Sequence, residues 1–252
     1  MSAMMSAMSE TTEQPIPRVV TSRCLESEPV RYDGTGVAVP GLRWLLRYVE
    51  RVTVCPEIAV GLGVPRPPIR LLREDGELVV RDTVSGRRVD EALRDYATSF
   101  AAGAATVDGF ILKAGSPSCG LGSAKIWRAL DGDDWDGRGD GVFAEQLQRM
   151  RPDRLFVDEC ALTTVDGCLV VLARLRALAR IRQVERGRAD AASLRPLAAL
   201  TDIDPASLDA NDLRERVMMA QGPVRAGEGL LADIDGAASD ELAQMIEEVA
   251  DA

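Results

Sequence analysis

Three cysteines set the chemical question. Cys24 in "SRCLESEP", Cys55 in "VTVCPE" and Cys119 in "GSPSCG" each follow a short β-rich run, and the 252-residue chain contains no histidine. That absence excludes Ser–His and Cys–His nucleophile pairs and every His-ligated metal site. Any chemistry must rest on Cys, carboxylates, Lys, Arg, Ser or a bound cofactor. Glu57 stands two residues after Cys55, across Pro56. A carboxyl so near a thiolate is a candidate proton source; the plainer reading is a Pro-Glu helix start. In the loop 115–120, Gly115 and Gly120 permit close backbone approach and Pro117 stiffens the turn. Its backbone N–H groups would suit sulfide or an anion, although a cysteine in such a loop also serves as a small buried filler. Arg31 and Asp33, in "VRYDG", are able to pair with each other around an Asp-Gly turn. Lys113, at a strand end, reads either as a charge-balancing cation or as a surface lysine.

These residues need a frame to bring them together. "RVVTS" (18–22), "VTVC" (52–55), "VDGFILKA" (107–114) and "RLFVDE" (154–159) read as strands. "LRWLLRYVER" (42–51), 87–105 and 139–150 read as helices from their apolar spacing. "IRLLREDGELVVRD" reads as a hairpin turning at Asp75-Gly76. The alternation predicts an α/β fold with a mostly parallel sheet covered by helices on both faces. In such sheets ligands sit beyond the carboxyl ends of the strands. Cys24, Cys55 and Cys119 all fall there and are expected to converge on one pocket.

The remaining features bound the answer. The five cysteines, an odd number, contain no CxxC pair, which argues against a disulfide framework or a zinc ribbon. A net charge of −10 argues against duplex binding and against RNA. No apolar run is long enough to span a membrane, and the start "MSAMMSAMSETTEQPIP" lacks the pattern of a secretory signal. Residues 1–17 are expected to be a disordered leader and the protein to be cytoplasmic. A boundary is expected near 166. Beyond it, "CLVVLARLRALARIRQVERGRADA" predicts a long amphipathic helix, with two further helices capped at Ser207 or Asp209 and at Ser239. This segment, 166–252, reads as a C-terminal α-helical extension for docking a protein partner or for self-association.

"CLESEPVRYDG", "CPEIAVGLGVPRPP" and "LKAGSPSCG", in that order, resemble the thiouracil desulfidase family. The resemblance covers residues ~18–165. It implies a Rossmann-like α/β domain carrying a [4Fe-4S] cluster held by Cys24, Cys55 and Cys119. It also implies catalytic roles for Glu57 and Ser116, with Lys113, Ser118, Arg31 and Asp33 as candidate substrate contacts. "LESE" departs from the small or apolar residues usual around a glycine at that point of the family pattern. Three thiolates leave one iron of a cubane open, and an open iron is a Lewis acid for a soft thiocarbonyl sulfur. The implied reaction is non-redox hydrolysis of a thiolated nucleobase such as 2-thiouracil, with sulfide leaving through that iron. Two other readings keep the cluster: a sulfur-transfer enzyme, for which no GxxxxGK[ST] phosphate loop is present, and a non-catalytic scaffold with a docking tail. Cys160 and Cys168 match no ligand motif.

Overall fold

The computed structural model describes residues 14–201, 209–219 and 229–250. The first thirteen residues of the expected leader, and Ser207, lie outside them. The chain opens with β1 (Arg18–Ser22) and then α1 (Pro40–Leu45), whose first turn Pro40 suits because proline's fixed φ is already helical. The helix expected over 42–51 stops at Leu45, because the residues from Glu50 pair as β2 (Glu50–Val54). The short α2 (Pro56–Ala59) begins at once. The hairpin β3 (Ile69–Glu74) and β4 (Glu77–Asp82) turns at Asp75 and Gly76, both with positive φ, as a tight two-residue turn requires. There follow α3 (Asp90–Gly103), β5 (Gly109–Leu112), β6 (Ala124–Trp127), β7 (Trp135–Gly139), α4 (Val142–Met150) and β8 (Leu155–Asp158). Helices α5 (Val165–Glu185), α6 (Ala198–Thr201), α7 (Ala210–Met219) and α8 (Gly236–Ala250) complete the chain.

The α/β expectation holds, but the strands form two sheets. The central sheet is entirely parallel, in the order β2-β1-β5-β8. Successive residues feed opposite faces: Val19 and Ile111 pack toward α1 and α5, while Val20 and Phe110 pack toward α3 and α4. The second sheet is mixed, in the order β4-β3-β6-β7, and encloses its own apolar cluster around Leu71, Val80, Leu93 and Ile126. Strands β6 and β7 have no counterpart in the sequence reading. "AKIW" is four residues between Gly- and Asp-rich turns, and "WDGRG" is a poor strand former held only by pairing with β6.

Helix α5 departs from the amphipathic expectation. It is buried on nearly all sides, including Arg176, Arg180 and Arg182. The sheet covers one side; residues of the later helical segments, such as Leu213, Val217, Leu231 and Leu242, join the same core cluster on the other. Two of these arginines are paired: Arg182 forks onto Asp108 at 2.8 and 2.9 Å, and Arg176 onto Asp233 at 2.5 and 2.8 Å. Asp209 caps α7 as expected, accepting from the N–H groups of Asn211 and Asp212. The last helix is capped by Asp235, not Ser239; Asp235 accepts from Ala238 N–H, and Ser239 lies inside the first turn. Among the described residues, no helix is long and apolar enough to cross a membrane.

Candidate active site

The order β2-β1-β5-β8 reverses direction between β1 and β5, and the carboxyl ends of strands flanking such a reversal leave a crevice. Cys24 follows β1, Cys55 follows β2 and opens α2, and Cys119 sits in the loop after β5. All three line one cavity of about 460 Å³ together with Glu57, Lys113 and Ser116.

The Cys119 loop is held from several directions. Ser22 Oγ, at the end of β1, accepts from Lys113 N–H at 3.0 Å. Ser116 Oγ accepts from the N–H groups of Ser118 and Cys119 at 3.2 and 3.1 Å, folding the loop on itself. Helix α4 lacks a side-chain cap; instead the N–H groups of Val142, Phe143 and Ala144 donate to the carbonyls of Pro117 and Ser118. The loop is therefore the cap of the helix. Gly141 makes this approach feasible, since a Cβ there would overlap Ser118 and lie 2.6 Å from Cys119 N.

Glu57 is fixed by a partner the sequence reading missed. Arg66 Nε and Nη2 donate to Glu57 Oε2 at 2.8 and 2.5 Å, and Ser118 Oγ donates to Oε1 at 3.0 Å. Arg66 Nη1 in turn donates to the carbonyls of Val30 and Gly63 at 3.1 and 2.8 Å. The arginine stands in plain view within "GLGVPRPP", but nothing in its spacing reveals that the loop folds back onto α2.

Burial is the first influence on all three thiols. Burial, and then the neighbouring Cys55, push the Cys24 thiol up to about 11, against the opposing pull of Lys113. Cys55 is raised by burial first, with Glu57 adding and Arg66 opposing. Cys119 is buried and raised well above the ordinary range by desolvation; a hydrogen bond with Ser22 opposes this, while Glu57 and the other two thiols reinforce it. Cys119 thus feels both other thiols, and Cys24 feels Cys55, across one cavity. Among the described residues no three Cys, Asp or Glu side chains lie close enough to hold a single metal ion. A cubane is wider than one ion, and three soft thiols, free of disulfides and lining one cavity, are donors of the kind such a cluster takes.

The other anticipated residues divide. Lys113 lines the cavity but is held: its Nζ donates to Glu159 Oε1 at 2.5 Å and to Ala114 O at 2.8 Å. Glu159, overlooked in the sequence, also accepts from Ala114 N–H at 2.7 Å and so ties the loop to the end of β8. Arg31 lines the cavity, whereas Asp33 lies outside the lining and accepts from the N–H and hydroxyl of Thr35. Ser118 is buried outside the lining, supporting Glu57. The outer wall comes from the second sheet: Arg70, Lys125, Trp127 and Arg138, with the Arg70 guanidinium 3.9 Å from the Trp127 ring centre. These residues escaped notice because β6 and β7 did. Cys160 is exposed, and Cys168 is buried with its thiol pushed up to about 12 by desolvation; neither lines the cavity.

Fold and cavity define a class: an α/β protein whose binding crevice, at a strand-order reversal, presents three thiols and an ion-paired carboxylate without histidine. A family model described as 2-thiouracil desulfurase matches residues 19–159, and the chain belongs to this family. The chain is 33% identical over 111 residues to the uncharacterized protein YbbK of Bacillus subtilis (strain 168), spanning 41% of this chain and 74% of that protein. A solved structure, the [4Fe-4S]-dependent thiouracil desulfidase TudS, is 29% identical, with 58% of this chain and 93% of that one covered at a TM-score of 0.48.

Proposed function

We propose that the protein removes sulfur from a thiolated pyrimidine such as 2-thiouracil by non-redox hydrolysis. Water and a C=S group become a C=O group and hydrogen sulfide, with no net electron transfer. Membership of the 2-thiouracil desulfurase family supports the substrate class. The observation that carries the mechanism is the meeting of Cys24, Cys55 and Cys119 in one cavity with Glu57. The three thiols would hold a [4Fe-4S] cluster, which when bound supplies a Lewis-acidic iron with affinity for thiocarbonyl sulfur. Glu57 takes the proton from the attacking water and returns it to the departing sulfur. Arg66 and Ser118 fix the carboxylate, and Oε1, which accepts one hydrogen bond from Ser118, keeps a lone pair for the reacting water. Ser116, on the cavity wall, orients the ring or the water while its oxygen holds the loop. Lys113, held by Glu159, favours the thiolate of Cys24.

Anaerobic purification with iron and sulfide quantitation, followed by sulfide release from 2-thiouracil, tests the assignment. Cys24→Ala, Cys55→Ala and Cys119→Ala are each expected to lose both iron and activity. Glu57→Gln is expected to retain iron and lose roughly a hundredfold or more in turnover. Full activity in Glu57→Gln, or a full iron complement in the cysteine variants, removes the corresponding role.

A further inference from the structure

At the opposite end of the central sheet from the thiols lies a second cavity, of about 430 Å³. Arg18 and Glu50, the first residues of β1 and β2, form part of its wall, with Arg180, Arg182, Gln183 and Arg188 from α5 and the segment after it. We propose that this cavity is a second binding site, for a small molecule bearing a phosphate group.

The argument starts from Arg180. Among the described residues four arginines are buried: Arg176, Arg180, Arg182 and Arg214. Three have a carboxylate: Asp233 for Arg176, Asp108 for Arg182 and Glu185 for Arg214. Arg180 has none among the described residues. At 8% exposure, its one side-chain hydrogen bond among the described residues is Nη1 to the Ser193 carbonyl at 3.1 Å, and its Nε is buried without a partner there. A buried cation without a counter-charge is costly, and the neighbouring Arg176 adds repulsion; desolvation and that repulsion hold the Arg180 guanidinium below its ordinary range. A protein that pairs its other buried arginines leaves this one facing a cavity.

The surroundings fit an oxyanion. Arg18 is engaged by Glu50 at 2.8 Å and Arg182 by Asp108, so Arg180 and Arg188 remain as the unpaired cations of the wall among the described residues. Two guanidiniums match the charge of a phosphate monoester, and their forked donors match its oxygens. Gln183, whose Oε1 is buried without a partner, adds an amide with unused hydrogen-bonding capacity to the wall. The cavity exceeds a bare phosphate and falls within the range of small-molecule sites. This local positive wall stands on a chain of net charge −10, where no general electrostatic trend would create it. The site is independent of the desulfidase assignment.

Calorimetric titration of the full chain with inorganic phosphate and with ribose 5-phosphate, in low-salt buffer free of phosphate, tests the proposal. Saturable binding that weakens with added salt is expected. Arg180→Met and Arg188→Gln should each weaken it on the order of tenfold or more. Arg180→Met should unfold at the same temperature as the parent or higher, because it removes an uncompensated buried charge. Tighter binding of the ester assigns the site to a phosphorylated metabolite; equal binding assigns the same site to the phosphate group alone. Absence of saturable binding up to ~10 mM of either probe would overturn the proposal. So would unchanged affinity in both variants, which would place the anion elsewhere. Should Arg180→Met fail to fold, the exposed Arg188→Gln decides.

Discussion

Glu57 and Arg66 form the pair on which the proposed chemistry turns. Arg66 is 7% and Glu57 13% exposed at the side chain, so their attraction is little screened and the carboxylate has one position. Arg66→Met should therefore leave iron content unchanged while lowering kcat by about a hundredfold, with a smaller change in KM, and Arg66→Lys should recover part of the loss. Equal kinetics for Arg66→Met and the parent would show that the carboxylate needs no such anchor. The thiols give a second prediction. Cys24, raised to about 11 chiefly by burial, is protonated at neutral pH in protein free of metal. Its alkylation, followed by mass spectrometry, should accelerate about tenfold per pH unit through pH 9 without levelling, while exposed Cys160 reacts first and Cys168 last. A plateau near neutral pH would mean that the cavity stabilises a thiolate on its own. Loading such thiols must release protons, so cluster incorporation should improve with rising pH.

The elements matter because they make single loops rigid. The Cys119 loop and α4 are one unit, since the loop carbonyls receive the first N–H groups of the helix. Gly141 is the point of contact, and Gly141→Ala should push the loop outward. The expected result is about 1–3 kcal/mol of lost stability, as for other overpacked sites, together with reduced iron retention after anaerobic purification. An unchanged unfolding midpoint and full iron in this variant would contradict the tight approach. Most of the central strands were legible because a buried parallel strand is a short apolar run between Gly and Pro signals, as in "GFIL". Strands β6 and β7 were not, because their partners across the sheet, rather than their own residues, hold them extended. The basic and aromatic outer wall of the cavity was invisible for the same reason.

At the scale of the molecule, one core cluster runs across the expected boundary near residue 166. Leu169, Val171, Leu172, Leu175 and Leu178 of α5 share a cluster with Val19, Ile111 and Leu155 of the sheet. Without α5, the face of the sheet that carries those residues would lie open to water. We propose that the described residues after 164 complete this core. A chain ending at residue 164 should aggregate or remain unfolded by circular dichroism, whereas the full chain unfolds in a cooperative transition. A soluble, cooperatively folded fragment would restore the reading of a separable extension. The pair Arg182–Asp108 adds to this, because breaking one partner of a buried pair is strongly destabilising; Arg176–Asp233 adds less, since Asp233 is half exposed.

By itself the sequence determined the donor types and their order: three thiols at strand ends, a carboxyl beside one of them and no imidazole anywhere. These follow from local composition and the short period of strands, which survive any arrangement of the rest. Only the tertiary structure decided that Arg66 grips Glu57, that Lys113 is tied to Glu159 and that β6 and β7 wall the cavity. It alone decided too that a helix rich in arginine lies inside the protein. Such pairings depend on contacts between residues tens of positions apart, and long-range pairing leaves no periodic trace along a single chain.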